Sequence, residues 1–174
     1  MLELKANMAW PQNRACDLPK VVAEVKASAW FIVVRFEVEE PEACYRAEVR
    51  ADGGPCFKDS CVEVFLETAD GAYRNFEFNS LGKCLSAKGR GREARTGLTL
   101  GEYANLSRKA EILRGAPKFF WTLEAKIPAN LGFTGRGNLY KCADLARTPH
   151  YLSLFEVRTA KPDFHRPEFF GKLF

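Results

Sequence analysis

The chain has 174 residues, 47% of them hydrophobic and 28% charged, the proportions of a soluble globular protein with a core of its own. Its formal charge of +4 is too small a basic excess to mark a dedicated nucleic-acid binder, and no run approaches the roughly 20 apolar residues that cross a membrane. Neither nucleic acid nor membrane is therefore expected as a partner, and one domain is expected over residues 1–174.

The opening MLELKANMAWPQN has no basic region followed by an apolar run, so it does not read as a signal peptide. The chain as given reads as cytoplasmic, and as extracellular if it was trimmed from a longer one. Trp10, just before Pro11, either caps the fold or lies exposed. From Val21 onward the dominant hydrophobic period is two. VVAEVKA (Val21–Ala27) and WFIVVRFEVEE (Trp30–Glu40) predict strands, with Trp30 in the core. Asp52-Gly53-Gly54-Pro55 is a turn. CVEVFLET (Cys61–Thr68) and YRNFEFN (Tyr73–Asn79) are two further strands joined through Ala69-Asp70-Gly71. Leu81-Gly82-Lys83 is the next turn, and the basic run AKGRGREAR (Ala87–Arg95) reads as a solvated loop. GEYANLSRKAEILR (Gly101–Arg114) and IPANLG (Ile127–Gly132) are the candidate helices. FFWTLEAKIP (Phe119–Pro128) predicts a strand with Trp121 in the core. Gly135-Arg136-Gly137 reads as a turn and YLSLFEV (Tyr151–Val157) as a last strand. The fold class expected is all-β: an antiparallel immunoglobulin-like β-sandwich with one or two short helices.

Six cysteines, Cys16, Cys44, Cys56, Cys61, Cys84 and Cys142, occur without a C-x-x-C pair and read as buried free thiols. A zinc site would have to draw on Cys56, Cys61, Cys142 and His150. There is no G-x-S-x-G elbow, phosphate loop or H-E-x-x-H, and neither His150 nor His165 has a nucleophile partner by spacing. The two central strands are more informative. Alternation puts Val62, Val64 and Leu66 on one face, and Cys61, Glu63, Phe65 and Glu67 on the other. In the next strand Tyr73, Asn75, Glu77 and Asn79 share a face. Carboxylates and amides beside aromatic rings are what sugar hydroxyls and sugar C–H faces require. Glu63 and Glu77 could also serve as a glycosidic acid/base pair. Binding needs fewer coincidences, so no enzymatic activity is expected.

KDSCVEVFLE, YRNFEFNSLG and the C-terminal FHRPEFFGKLF, in that order, resemble the family 9 carbohydrate-binding modules and their stand-alone bacterial relatives. That group is similar in turn to the sandwich superfamily containing DOMON domains. The resemblance spans roughly Ala27 to Phe174. It implies a β-sandwich that holds sugar between two stacking aromatics, at the places occupied here by Phe57 and Phe164. Both family positions are commonly Trp. Glu63, Glu77 and Asn79 carry over as polar contacts, with Lys58, Arg158 and His165 as further hydrogen-bond donors. Glu77 stands where family binders carry a basic residue. No cofactor is implied beyond structural calcium, for which Asp52, Asp59 and Asp70 lie in turns without a D-x-D-x-D-G spacing.

Two readings of the central motif remain open at this point. Lys58, Asp59 and Ser60 could form the rim of a site, with Glu63 aimed at ligand. Alternatively Asp59 and Ser60 satisfy turn N–H groups and Glu63 pairs with Arg158 or another cation inside the fold. Three functions follow: non-catalytic binding of mono- or oligosaccharide, with the reducing end as one candidate epitope; a protein-interaction or scaffold sandwich that has lost sugar binding; and a haem domain of DOMON type, with Met8 and His150 or His165 as axial pair.

Overall fold

The computed structural model describes residues 1–14 and 17–174; Cys16, one of the expected free thiols, lies outside them. Its strands in chain order are β1 (Leu2–Ala6), β2 (Lys20–Ala27), β3 (Phe31–Pro41), β4 (Cys61–Thr68), β5 (Tyr73–Asn79), β6 (Cys84–Gly89) and β7 (Thr96–Gly97). A short helix α1 (Leu100–Asn105) precedes β8 (Ser107–Arg114), β9 (Lys118–Pro128), β10 (Phe133–Cys142), β11 (Tyr151–Ser153) and β12 (Gly171–Lys172). No helix among the described residues is long and apolar enough to cross a membrane.

The strands run β7-β6-β5-β4-β10-β11-β1-β2-β3-β9-β8, with β12 paired to β10. All these pairings are antiparallel. The path folds into two layers, and β1 belongs to both. Its Leu2, Glu3 and Leu4 pair with β2, while Lys5 and Ala6 pair with β11. Between the layers, Ile32, Val34, Phe36 and Val38 of β3 and Trp121, Leu123, Ala125 and Ile127 of β9 meet Val62, Val64 and Leu66 of β4 and Phe76 and Phe78 of β5. Strict alternation delivers each set to one face. The expected β-sandwich is the observed architecture.

The outer face of the β4–β5–β10 layer is also covered. Cys61, Phe65, Tyr73, Tyr140 and Cys142 pack there against Trp10, Val157, Phe164 and Phe170. Hence seven of the eight residues of β4 are buried, although only alternate ones face the sandwich core. Gly137 enables the pairing on this side: a Cβ there would lie 2.1 Å from the Phe65 carbonyl oxygen. β10 departs from regular register between Phe133 and Gly137. That irregularity is why Gly135-Arg136-Gly137 reads as a turn in sequence and is a strand in space.

A buried polar cluster ties the layers together. Glu40 of β3 accepts a hydrogen bond from Trp121 Nε1 at 2.6 Å, and its other oxygen lies 2.9 Å from Lys141 Nζ of β10. Lys141 donates to Cys142 O and contacts His150 Nε2 at 2.7 Å. Burial first, then the Lys141 charge, holds His150 well below the usual imidazole range. A neutral ring accepting at Nε2 and donating Nδ1–H to Thr148 O, 3.0 Å away, fits both contacts.

Several local expectations are corrected. Trp30 is 77% exposed, because the chain reverses at Ser28–Phe31 before β3 begins, and Ser28 Oγ accepts from the Trp30 and Phe31 N–H groups. Of Gly101–Arg114, only the start is helical. A Thr99–Glu102 capping box opens α1, and Arg108 ends it by donating to the Tyr103 and Leu106 carbonyls. The rest pairs with β9 as β8. Ile127–Gly132 contains only a 3-10 turn, Ala129–Leu131, stopped by Gly132 at φ 75°. The last predicted strand ends at Ser153, after which the Asn138 side chain bonds Phe155 N and O in place of a ladder. Trp10, left open by sequence, is fully buried and donates to Thr159 O.

Candidate functional site

On the outer face of the β6–β5–β4–β10 sheet lies a cavity of about 370 Å³, within the range of small-molecule sites. The period of two builds its floor. Glu63 of β4 is directly opposite Glu77 of β5, which is opposite Leu85 of β6; one row over, Asn75 is opposite Ala87. Cys142 of β10 enters from the other side. Phe57 and Asp144 line it from the loops, Tyr151 from β11, and Pro162, Asp163, Phe164 and His165 from the C-terminal segment. Arg92 and Arg95 complete the wall from the loop after β6.

These side chains form a connected network. Asn75 Nδ2 donates to Glu77 Oε1 at 2.7 Å, and Asn75 Oδ1 accepts from Arg95 Nη2 at 2.7 Å. The Arg95 guanidinium lies 4.4 Å over the Tyr73 ring, a cation–π contact. Tyr73 OH is 2.8 Å from His165 Nδ1. Cys142 Sγ donates to Glu63 Oε1 at 3.0 Å. Arg92 reaches Asp163, which also accepts from Arg166. Two buried atoms in the wall have no partner among the described residues: Glu77 Oε2 and Arg95 Nε.

Burial pushes Glu63 up to about 7, against the Cys142 hydrogen bond. Burial, then the charge of Glu63, drives Glu77 well above the carboxylate range. Two like-charged groups side by side on a sheet cannot both ionise cheaply. Burial, with Arg95 and Arg92 nearby, lowers His165 to about 4.

Of the residues singled out from sequence, Phe57, Glu63, Glu77, Phe164 and His165 line this one cavity. Lys58, Asn79 and Arg158 do not. Lys58 ends a 3-10 turn, where its carbonyl accepts from Leu145 N. Asn79 is buried and donates to Val49 O and Asp59 Oδ2. Arg158 is exposed and pairs with Glu156 rather than Glu63. Phe164 is 8% exposed and stacks on Tyr140 with centroids 4.1 Å apart, so most of its surface packs within the fold. Phe57 is half-buried.

Asp59 and Ser60 follow the turn-satisfying reading. Asp59 pairs with Arg46 and accepts from the Glu48 and Val49 N–H groups at 2.9 and 2.7 Å, while Ser60 Oγ bonds Arg46 N and Cys44 O. They pin the incoming loop so that Phe57 meets the sheet. The three turn aspartates do not converge: Asp52 pairs with Arg108, Asp59 with Arg46 and Asp70 with Lys88. The haem pair does not form either. Met8 is exposed, His150 is held by Lys141, and His165 by Tyr73. Of the zinc set, Cys61 and Cys142 come together, but with Glu63 rather than with Cys56 and His150.

Sequence reasoning left Arg92, Arg95, Cys142, Asp144, Tyr151 and Asp163 out of the site. Arg92 and Arg95 belong to the basic run read as a solvated loop. Arg90, in the middle of that run, is exposed, but Ala87–Gly89 ends β6 and Arg95 folds in to bond Asn75 and Ala87 O. Following the alternation through Cys84–Gly89 would have placed Leu85 and Ala87 on the site face. Cys142 and Asp144 arrive through a pairing 79 or more residues distant in sequence, as the Cys142–Glu63 contact shows, and no local pattern announces that.

No curated protein gives a match. A crystal structure titled as that of a "putative carbohydrate-binding protein" from Bacteroides uniformis ATCC 8492 is similar in fold, with TM-score 0.84 and 29% identity over 98% of this chain and 84% of that one. The family model described as carbohydrate-binding family 9 matches residues 3–174, and with the motifs, the sandwich and the aromatic-lined cavity now in place, the chain belongs to that family.

Proposed function

We propose that this protein binds carbohydrate, without catalysis, in the cavity lined by Phe57, Glu63, Glu77, Arg95 and Tyr151. One observation carries the reading: Glu77 Oε2 and Arg95 Nε are buried in the wall without partners, beside aromatic surface. An unpaired buried polar atom costs about 1–3 kcal/mol. Sugar hydroxyls, each donor and acceptor, would satisfy both while a C–H face lies on Phe57 or Tyr151. This convergence of polar groups around Phe57 and Phe164 is what a scaffold that had lost its ligand would not need.

The carboxylates favour binding over hydrolysis. A glycosidase sets its two carboxyl groups on opposite sides of the scissile bond. Glu63 and Glu77 stand side by side on one sheet face.

Calorimetric titration with a panel of mono- and oligosaccharides, each paired with its alditol, tests the proposal. Saturable heat with Kd between about 1 μM and 1 mM is expected, equivalent to roughly −8 to −4 kcal/mol. Phe57→Ala should weaken it at least about tenfold, a loss of about 1.4 kcal/mol. Heat that vanishes on reduction identifies the reducing end as the recognised part. Silence across the panel rejects carbohydrate binding.

A further inference from the structure

The sheet face beneath the cavity brings two thiols and a carboxylate to one point. Cys61 and Cys142 are directly opposed on β4 and β10, and Glu63 follows on the same face of β4. Their ligand atoms all lie within 4.8 Å of one another, and all three residues are buried. A tetrahedral zinc ion sits ~2.3 Å from sulfur and ~2.0–2.2 Å from carboxylate oxygen, which spaces its ligand atoms ~3.5–3.8 Å apart. The wider gaps of the trio would contract slightly to close it around such an ion. Cys142 Sγ and Glu63 Oε1, hydrogen-bonded at 3.0 Å, would instead open by roughly half an ångström as the thiol proton leaves.

A second, independent feature points to the same place. Glu77 stands opposite Glu63, is 5% exposed, lines the same cavity as Glu63 and Cys142, and has its Oε2 unpartnered. Its carboxylate lies outside the 4.8 Å trio, and a swing of the side chain toward the sulfurs would supply the fourth corner such a site lacks. Sulfur ligands select the cation class. Calcium and magnesium take six or more oxygen ligands, whereas two thiolates with carboxylate oxygen suit zinc and its borderline neighbours.

We propose that Cys61, Glu63 and Cys142, with Glu77 as fourth ligand, form a binding site for one zinc-class divalent cation at the cavity floor. The site does not depend on sugar binding. Glu77 Oε2 is also the oxygen offered to a sugar hydroxyl, so zinc and sugar would compete for it.

The test uses the full chain, fully reduced and stripped of metal, titrated with Co²⁺ in the absence of sugar. Expected are an intense near-ultraviolet thiolate-to-cobalt band and visible bands of tetrahedral cobalt, saturating at one equivalent and displaced by Zn²⁺. Cys142→Ser and Cys61→Ser should each weaken Zn²⁺ competition by more than the roughly 10–100-fold typical of changes behind the ligands. Cys44→Ser, a buried cysteine bonded to Asp17 O elsewhere, should leave the spectrum unchanged. An octahedral spectrum with no thiolate band in the wild-type protein overturns the proposal whether or not any variant folds. So does a thiolate band that persists when both Cys61 and Cys142 are serine. Because no sugar is present, either result leaves the carbohydrate reading intact.

Discussion

Asp59 has no exposed surface, yet it receives a guanidinium, two backbone N–H groups and an amide. Removing it leaves Arg46 and those donors facing an apolar hole. Asp59→Ala should lower the unfolding free energy by about 3–5 kcal/mol, read from urea denaturation. His165 predicts a pH dependence. Its ionisation is lowered from 6.5 to about 4 in the fold, so between those values the unfolded chain takes up a proton the folded chain refuses. Its stabilisation is complete above 6.5, declines as pH falls, and is gone at about 4. Glu63 has the opposite sign: its contribution is complete below 4.5 and is lost as pH rises through about 7. The two offset each other in the wild-type protein. The stability difference between wild type and His165→Gln isolates the histidine, and should shrink by something on the order of 3 kcal/mol from pH 7 to pH 4. At this scale the sequence was legible where one strand alternates. Glu63 and Glu77 could be placed on a shared polar face because side-chain period alone fixes it. Arg95 could not, because its place depends on how a glycine-containing loop folds back to Asn75.

Adjacent residues of β4 report different layers. Leu66 points into the sandwich. Phe65 points outward, with its ring centroid 5.0 Å from that of Tyr140, 5.6 Å from Tyr73 and 5.1 Å from His165. Leu66→Ala should cost about 2–5 kcal/mol and Phe65→Ala about 3–5 kcal/mol. Only Phe65→Ala should also weaken sugar affinity in the same calorimetric assay, because only it loosens the layer that holds His165 and Tyr73. Strands with full alternation, β2, β3, β4, β5 and β9, were readable from hydrophobic period. β10 was not: glycines at 135 and 137 break its pattern, and their need is set by the Phe65 carbonyl and Phe174 against which they pack. Gly101–Arg114 mixes helix formers and so reads as helix in sequence, whereas the strand state of β8 comes from pairing with β9 along the sheet edge.

Both apolar layers share one sheet, so they are expected to melt together as one domain. Trp10 lies in the outer layer and Trp121 in the sandwich core, while Trp30 is exposed. Variants retaining only Trp10 or only Trp121 should give coincident denaturation curves once the stability cost of each substitution is matched by far-ultraviolet circular dichroism. A midpoint for Trp10 below that of the circular dichroism would show the outer layer opening by itself. Strand β1 has a different kind of consequence. Two separate sheets would expose four borders with unpaired backbone groups, but a ribbon made continuous by β1 ends at β7 and β8, with the two-residue β12 branching from β10. β7 is only two residues long, too short to template another chain. The long border is β8, and Lys109, Glu111 and Arg114 spread charge along it. Such charges deter edge-to-edge association, so on the longest terminal border the molecule's resistance to strand addition is carried by a stretch of eight residues.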